Sequence, residues 1–328
     1  MAVETAEASA KEIAKNGHFS RQHNLFTTPF GSKPGELPVA AGKYRLIWSA
    51  ACPWATRSAI VLDLLGLTDA ISIGKVAPLR PVEKNVDWDF TLDPNNVDPV
   101  LGIHYLSEAY LKADPTYDLR PTVPAVIDIA SGKVVNNDYF KLTNYFEVQW
   151  RDFQKTDAPD LYPEDLRSDI DALNQIIFTD VNNGVYKAGF AQSQAAYEKA
   201  YDQLFYRLDW LEERLATRRF LFGNILTDSD VRLYTTLARF DAAYYDKFRC
   251  NKKRLRDYDH LWNYAKDLYS IPAFKKNTEF EAIKIHYHVS GHLSGTSATF
   301  APVPKGPDAS VWDTPNGRSK FGAIENFK

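Results

Sequence analysis

Pro53 constrains this chain more than any other residue. It stands in "RLIWSAACPWATRSAIVLDLLGL", between an apolar run and a stretch with helical spacing. A proline is tolerated at the first position of a helix, because its missing N–H would have no partner there. Tyr44–Ser49 therefore reads as a short buried strand. Ala55–Leu65 reads as a helix carrying Ile60, Val61, Leu64 and Leu65 on its apolar side, with Gly66 as the stop. "ISIGKVA", Ile71–Ala77, is a second strand. In "TVPAVIDIASGKVVNND" two strand-like runs are joined by Ser131-Gly132-Lys133, a hairpin signal, and Phe140–Trp150 is helical again. The order β–α–β, insert, β–β–α is that of a thioredoxin-like domain.

The chain then changes character. Tyr197, Tyr201, Leu204, Leu208, Leu211 and Leu215 are spaced as one face of a helix, and Ile170, Leu173, Ile177 and Val181 as another. Thr227 followed by Asp230 is a capping-box pattern ahead of a third helix, and "LWNYAKDLYSIPAF" predicts a fourth that stops near Pro272. The expected organisation is an irregular arm over 1–42, a thioredoxin-like thiol-binding domain over 43–155, a helical domain over 160–289 and a tail over 290–328. The arm is broken by Pro29, Pro34 and Pro38, and its sequence leaves open whether it wraps a domain or lies loose. At 328 residues two domains are expected.

Composition excludes several function classes. A net charge of −3 gives no electrostatic case for nucleic acid or an anionic membrane. No apolar run is long enough to span a bilayer, and the N-terminus lacks the apolar core of a signal peptide. Two cysteines, Cys52 and Cys250, suit a reducing compartment, so the cytoplasm is expected. A single Cys52–Cys250 bridge stays open on sequence alone. The seven histidines show no zinc spacing, and the cluster His286, His288 and His292 suits adventitious metal as well as a site; no metal is expected. No phosphate loop or dinucleotide fingerprint occurs.

With Pro53 first in the helix, Cys52 is the N-cap, where free amides and the helix dipole favour an anion. Such a setting lowers a thiol pKa from about 8.5 to roughly 3.5–7.5. The alternative is an inert buried cysteine, but the strand–Cys–Pro–helix context favours the reactive one. Ala55 stands where a resolving thiol would, so the chemistry is monothiol and needs an external thiol to finish. Cys250 has basic neighbours but no such framing, and a structural or surface role is expected. Val123-Pro124 reads either as a cis proline opening the third strand, with the Val123 backbone free to pair with a peptide-like ligand, or as an ordinary edge-strand proline.

"ACPWA", "YLSEAYLKADPTY", "TVPAVID", "VNNGVYKAGFAQSQAAY", "LTDSDVRLYTTLARFDAAYYDKFRCNKKR" and "IKIHY" resemble the glutathionyl-hydroquinone reductases, the xi class of glutathione transferases. The similarity runs from about Tyr44 to Tyr287. It implies an α/β thioredoxin-like N-terminal domain, an all-α glutathione-transferase C-terminal domain and a homodimer. It also implies a small aromatic thiol conjugate as substrate and glutathione as co-substrate. Cys52 would attack the glutathione sulfur, and a second glutathione would resolve the mixed disulfide. Tyr186 and Tyr287 match tyrosines near the substrate, with packing tyrosines as the alternative. Trp88 matches a tryptophan beside glutathione, with a core tryptophan as the alternative, and Arg120 could face a glutathione carboxylate, with a solvated loop charge as the alternative. The family pattern Asn-Glu-Ser, which grips the γ-glutamyl end, is here Asn137-Asp138-Tyr139, so another small thiol stays open. Two competing readings follow: a thioltransferase using another low-molecular-weight thiol, and a non-catalytic protein that binds hydrophobic ligands in an aromatic pocket.

Overall fold

The computed structural model describes residues 12–80, 86–290 and 302–327, so His292 lies outside the described residues. They divide into two compact units. The first contains residues 22–156 and the stretch from Glu281; the second contains Glu12–Arg21, Asp157–Phe280 and the chain from Pro304. Residues 281–289, placed with the helical domain on sequence, thus group with the first unit. Both ends, set apart as arm and tail, join the units.

The first unit is built on a four-stranded sheet ordered β2-β1-β3-β4. β1 (Tyr44–Trp48) runs parallel to β2 (Ile71–Lys75), with Tyr44 opposite Ile71, and antiparallel to β3 (Ala125–Asp128), with Ile47 opposite Ala125. β3 pairs antiparallel with β4 (Lys133–Asn136) across a bulge at Val126/Ile127. This is the thioredoxin-like order read from the sequence. All five residues of β1 are buried, as a central strand covered on both faces must be. α1 (Pro53–Leu65) connects β1 to β2 and is buried along nearly its whole length. It ends at Gly66, whose φ of +68° is the left-handed conformation that closes a helix. The hairpin turns where the Asp128 carboxylate accepts from the Ser131 N–H and hydroxyl, both at 2.9 Å.

The insert between β2 and β3 contains α2 (Leu106–Ala113), a helix that the sequence pattern did not predict. It is anchored from the sheet. Arg45 on β1 holds the Asp98 carboxylate at 2.8 Å, and Asp98 accepts from the amides of Val100 and Leu101. Gly74 makes room for this pair: a Cβ there would lie 2.8 Å from Asp98 Oδ2 and 2.9 Å from Arg45 Nε. The arm is fastened as well. Asn137 N–H donates to the Phe26 carbonyl at 2.8 Å, and the Phe26 amide donates to Asn137 Oδ1 at 3.1 Å. Phe30 inserts into the rings of Tyr44, Tyr145 and Trp150. The strand-edge amides and the apolar ring outweigh the prolines, and residues 22–42 of the arm pack on this unit.

The second unit is helical: α4 (Arg167–Ile177), α5 (Gly184–Gly189), α6 (Gln194–Leu215), α7 (Asp228–Arg239), α8 (Asp259–Tyr269) and α9 (Pro272–Lys276). Ala196, Ala200, Leu204, Leu208, Leu211 and Leu215 line the buried side of α6. Tyr197 and Tyr201, placed on that face by periodicity, lie half-buried at its margin, where the Tyr197 hydroxyl reaches the Arg249 carbonyl at 2.8 Å. Pro272, predicted as a stop, is the first residue of α9. The tail has little regular structure but is clasped to this unit. Trp312 sits among Tyr234, Trp262, Tyr269 and Phe280, and Arg318 donates to the carbonyls of Leu215, Arg218 and Arg219 at the end of α6.

Asp230 is the hub of the second unit. Its fully buried carboxylate accepts from Thr227 N–H and hydroxyl, Leu221 N–H and the Tyr264 hydroxyl, at 2.7–2.9 Å. Burial pushes its carboxyl above the usual range, while these donors pull the other way. Every partner is a donor, so an amide would turn its own N–H groups against two of them. Asp230→Asn is expected to lower stability by about 3 kcal/mol, measured as a shift of the urea midpoint in circular dichroism.

Candidate functional site

The site is set by where α1 begins. Cys52 takes extended backbone angles, φ −84° and ψ 119°, and its carbonyl accepts the first helical bond from Thr56 at 2.9 Å. Pro53 is the first helical residue, as its sequence position requires. The side chain of Cys52 is 9% exposed. Its sulfur makes no capping bond to the helix; Sγ lies 3.4 Å from the Val123 carbonyl oxygen, the geometry of a thiol donating its proton. Val123-Pro124 is cis, the first of the two readings of that dipeptide. The Val123 amide makes no hydrogen bond among the described residues.

The loop behind Val123 is held by side chains of the insert. The Tyr110 hydroxyl donates to the Thr122 carbonyl at 2.8 Å and accepts from Asn137 Nδ2 at 3.2 Å. Desolvation keeps this phenol well protonated, its pKa raised by burial. Gln22 from the arm brackets the backbone of Arg120, accepting from its N–H at 3.2 Å and donating to its carbonyl at 3.0 Å. Arg120 is half-exposed.

Asp138 and Tyr139 are both engaged by their own neighbourhood. The Asp138 carboxylate accepts from the amides of Phe140 and Lys141 at 3.1 and 3.2 Å, just ahead of α3 (Leu142–Val148). The shorter acid is turned into its own turn. The Tyr139 ring leans on Trp54 with centroids 5.1 Å apart, and its carbonyl accepts from Arg57, whose guanidinium lies over the Trp54 ring.

Trp88 is buried, and among the described residues its indole N–H has no hydrogen-bond partner. Its ring stacks on His286 with centroids 5.6 Å apart and planes 10° apart. Tyr287 lies beside it, buried, edge-on to His286 at 5.1 Å. Both belong to a wide, π-type turn, Ile285–Val289, that follows the helix Phe280–Lys284. Tyr186 is in the second unit, on α5; its hydroxyl is 3.3 Å from that of Tyr244, and the Arg21 guanidinium lies 4.5 Å from its ring. Among the described residues no cluster of acids, histidines and cysteines could hold a metal. No helix of theirs is long and apolar enough to cross a membrane.

Residues 194–267 match the C-terminal domain family of glutathione S-transferases. The glutathionyl-hydroquinone reductase YqjG of Escherichia coli is 36% identical, over 93% of this chain and 94% of that protein. The chain belongs to the glutathionyl-hydroquinone reductases, the xi class of glutathione transferases. The xi-class enzyme from Phanerochaete chrysosporium superposes with a TM-score of 0.83 at 36% identity, covering 92% of this chain and 96% of that one. The glutathione-bound structure of YqjG gives 0.79 at 37% identity, over 88% and 92%.

In this xi-class chain the structure brings Cys52 and Val123 together and sets Trp88 against His286, one of a histidine cluster whose sequence suits adventitious metal as well as a site. Arg57, Arg80 and His286 were not singled out as binding residues. Burying charged side chains is costly without partners, and nothing in a single sequence shows which arginines are buried. Both cysteines are free, which closes the question of a Cys52–Cys250 bridge. Cys250 is fully buried, which rules out the surface role, and burial pushes its thiol far above the usual range. Iodoacetamide at neutral pH is expected to label Cys52 alone, faster than a free thiol, and to reach Cys250 only in denaturant. Peptide mass spectrometry reads the pattern.

Proposed function

We propose that this enzyme reductively removes glutathione from glutathionyl-hydroquinones. One observation carries the reading: the Cys52 sulfur, at the head of α1, rests 3.4 Å from the carbonyl of the cis Val123–Pro124 peptide. A nucleophilic thiol thereby sits beside a backbone edge with a free amide, the arrangement that receives a peptide-like thiol. The relatives named above support the substrate class.

The Cys52 thiolate attacks the sulfur of the aryl thioether. The S–S bond forms as the C–S bond breaks, and the aryl carbon leaves with the electron pair and takes a proton. The products of this half-reaction are a Cys52–glutathione mixed disulfide and free hydroquinone. A second glutathione then attacks the mixed disulfide, giving oxidised glutathione and Cys52. The aromatic carbon is reduced by two electrons, and two glutathione sulfurs, one from the thioether and one from the free thiol, are oxidised to the disulfide. Tyr186 and Tyr287 are the proton donors we assign, on the motifs that carry them. Trp88, Arg120, Val123 and Asp138 receive the glutathione, Trp88 through its free indole N–H. The protein acts as a cytoplasmic homodimer.

A second reading keeps Cys52 and changes the thiol. It is favoured by Asp138, whose carboxylate is drawn into its own turn, and by Tyr139, which offers no small hydroxyl. The test supplies a glutathionyl-hydroquinone with glutathione. Wild type is expected to release free hydroquinone and Cys52→Ala none, with Tyr186→Phe and Tyr287→Phe slowed by roughly 10²-fold or more. Turnover with another low-molecular-weight thiol but none with glutathione would establish the second reading.

A further inference from the structure

Two side chains pack against the Trp88 ring. The Arg80 guanidinium carbon lies 4.5 Å from the centre of its ring, and the His286 imidazole stacks at 5.6 Å, nearly parallel. Each of the two is fixed in turn. His286 Nδ1 is 2.7 Å from the Pro78 carbonyl. A carbonyl only accepts, so Nδ1 carries the proton, and the bond sets the tautomer and the plane of the ring. Arg80 is 6% exposed and donates to three backbone carbonyls: Val86, Asp87 at 3.4 Å and Pro121 at 3.2 Å. Val86 and Asp87 precede Trp88 directly. Pro121 lies two residues before Val123, whose carbonyl faces the Cys52 sulfur. One planar guanidinium thus ties the tryptophan loop to the cis-proline loop.

Two further features mark this loop as built for a ligand. Val86 has a φ of +57°, which is rare and strained for a β-branched residue, and its carbonyl is one that Arg80 holds. Among the described residues the buried Trp88 indole N–H has no acceptor, an unfavourable state that an incoming acceptor relieves. The Asp87 carboxylate completes the support by accepting from the Trp88 amide at 2.7 Å and the Ser107 amide at 3.2 Å.

We propose that Arg80 and His286 are positioning residues that clamp the Trp88 indole, so that its free N–H meets the peptide portion of the thiol ligand held at Val123. The inference rests on the reading of Trp88 as a glutathione contact. Arg80 acts through its three-carbonyl fork, which lysine cannot reproduce. His286 acts through its flat ring, which phenylalanine keeps while losing only the bond to Pro78. The residue that completes the thiol-binding unit comes from a turn some 200 positions downstream of Trp88, a separation of 198 between Trp88 and His286.

The test uses the full chain in a Cys52→Ser background, where turnover cannot intervene. Calorimetry with glutathione is expected to show binding weakened on the order of tenfold by Trp88→Phe, Arg80→Lys and His286→Ala, while His286→Phe restores most of it. A second measurement needs no ligand. The emission of Trp88, taken as the difference between the parent and its Trp88→Phe variant, should resist acrylamide in the parent and in His286→Phe. It should become several-fold more quenchable in Arg80→Lys and His286→Ala. The clamp is overturned if Arg80→Lys and His286→Ala leave Trp88 protected, or if they bind glutathione as the parent does while Trp88→Phe does not. A parent that fails to bind glutathione overturns the choice of thiol instead, and the quenching arm then decides the clamp.

Discussion

Pro53 cannot donate a backbone hydrogen bond, and the first turn of α1 is arranged around that fact. The helix can begin only there, so Cys52 becomes its N-cap, at the end of a strand buried on both faces. Burial of α1 against the sheet then holds the sulfur in place, with the Val123 carbonyl as its hydrogen-bond acceptor. Everything else in the first unit brings other groups to that point. The parallel β1–β2 pair sends the chain back along the sheet, and the antiparallel β3 returns the cis Val123–Pro124 peptide beside it.

Around this centre, buried cations fasten loops that have no sheet to hold them. Arg45 anchors the insert through Asp98, Arg57 fixes the turn of Tyr139, and Arg80 joins the Trp88 loop to Pro121. In each case a guanidinium is taken out of water, which is tolerable only because carboxylate or carbonyl oxygens replace the lost hydration. The forked, planar donor suits this task, since one side chain satisfies several carbonyls that belong to different segments. The second unit uses an acid for the same purpose. Asp230 gathers two backbone amides and two hydroxyls, joining the start of α7 to α8 through Tyr264.

Where the chemistry is local, the structure follows the sequence closely. The hairpin at Ser131–Lys133, the capping pair Thr227–Asp230 and the αL stop at Gly66 are each the work of residues within a few positions of one another. The errors fall elsewhere. α2 was missed because Leu106, Ala109 and Tyr110 form too short an apolar pattern to stand out. The arm and tail carry the prolines and glycines of irregular chain and are irregular, yet Phe30 and Trp312 are packed among aromatic rings. Composition shows that a segment lacks periodic structure; it does not show whether one large ring in it finds a hole to fill.

The sequence by itself determined the Cys-Pro helix start, the order of strands and helices and, through its motifs, the family. Those depend on backbone preference and on apolar spacing, which act over a few residues. Only the tertiary structure decided that His286 lies flat on Trp88, that Arg80 bridges two loops, that Cys250 is sealed from solvent and that the Asp138 carboxylate turns inward. These depend on which distant segments are brought together and on whether a charge ends up buried. A single chain of letters holds no record of either, because burial and partnership are properties of the packed molecule.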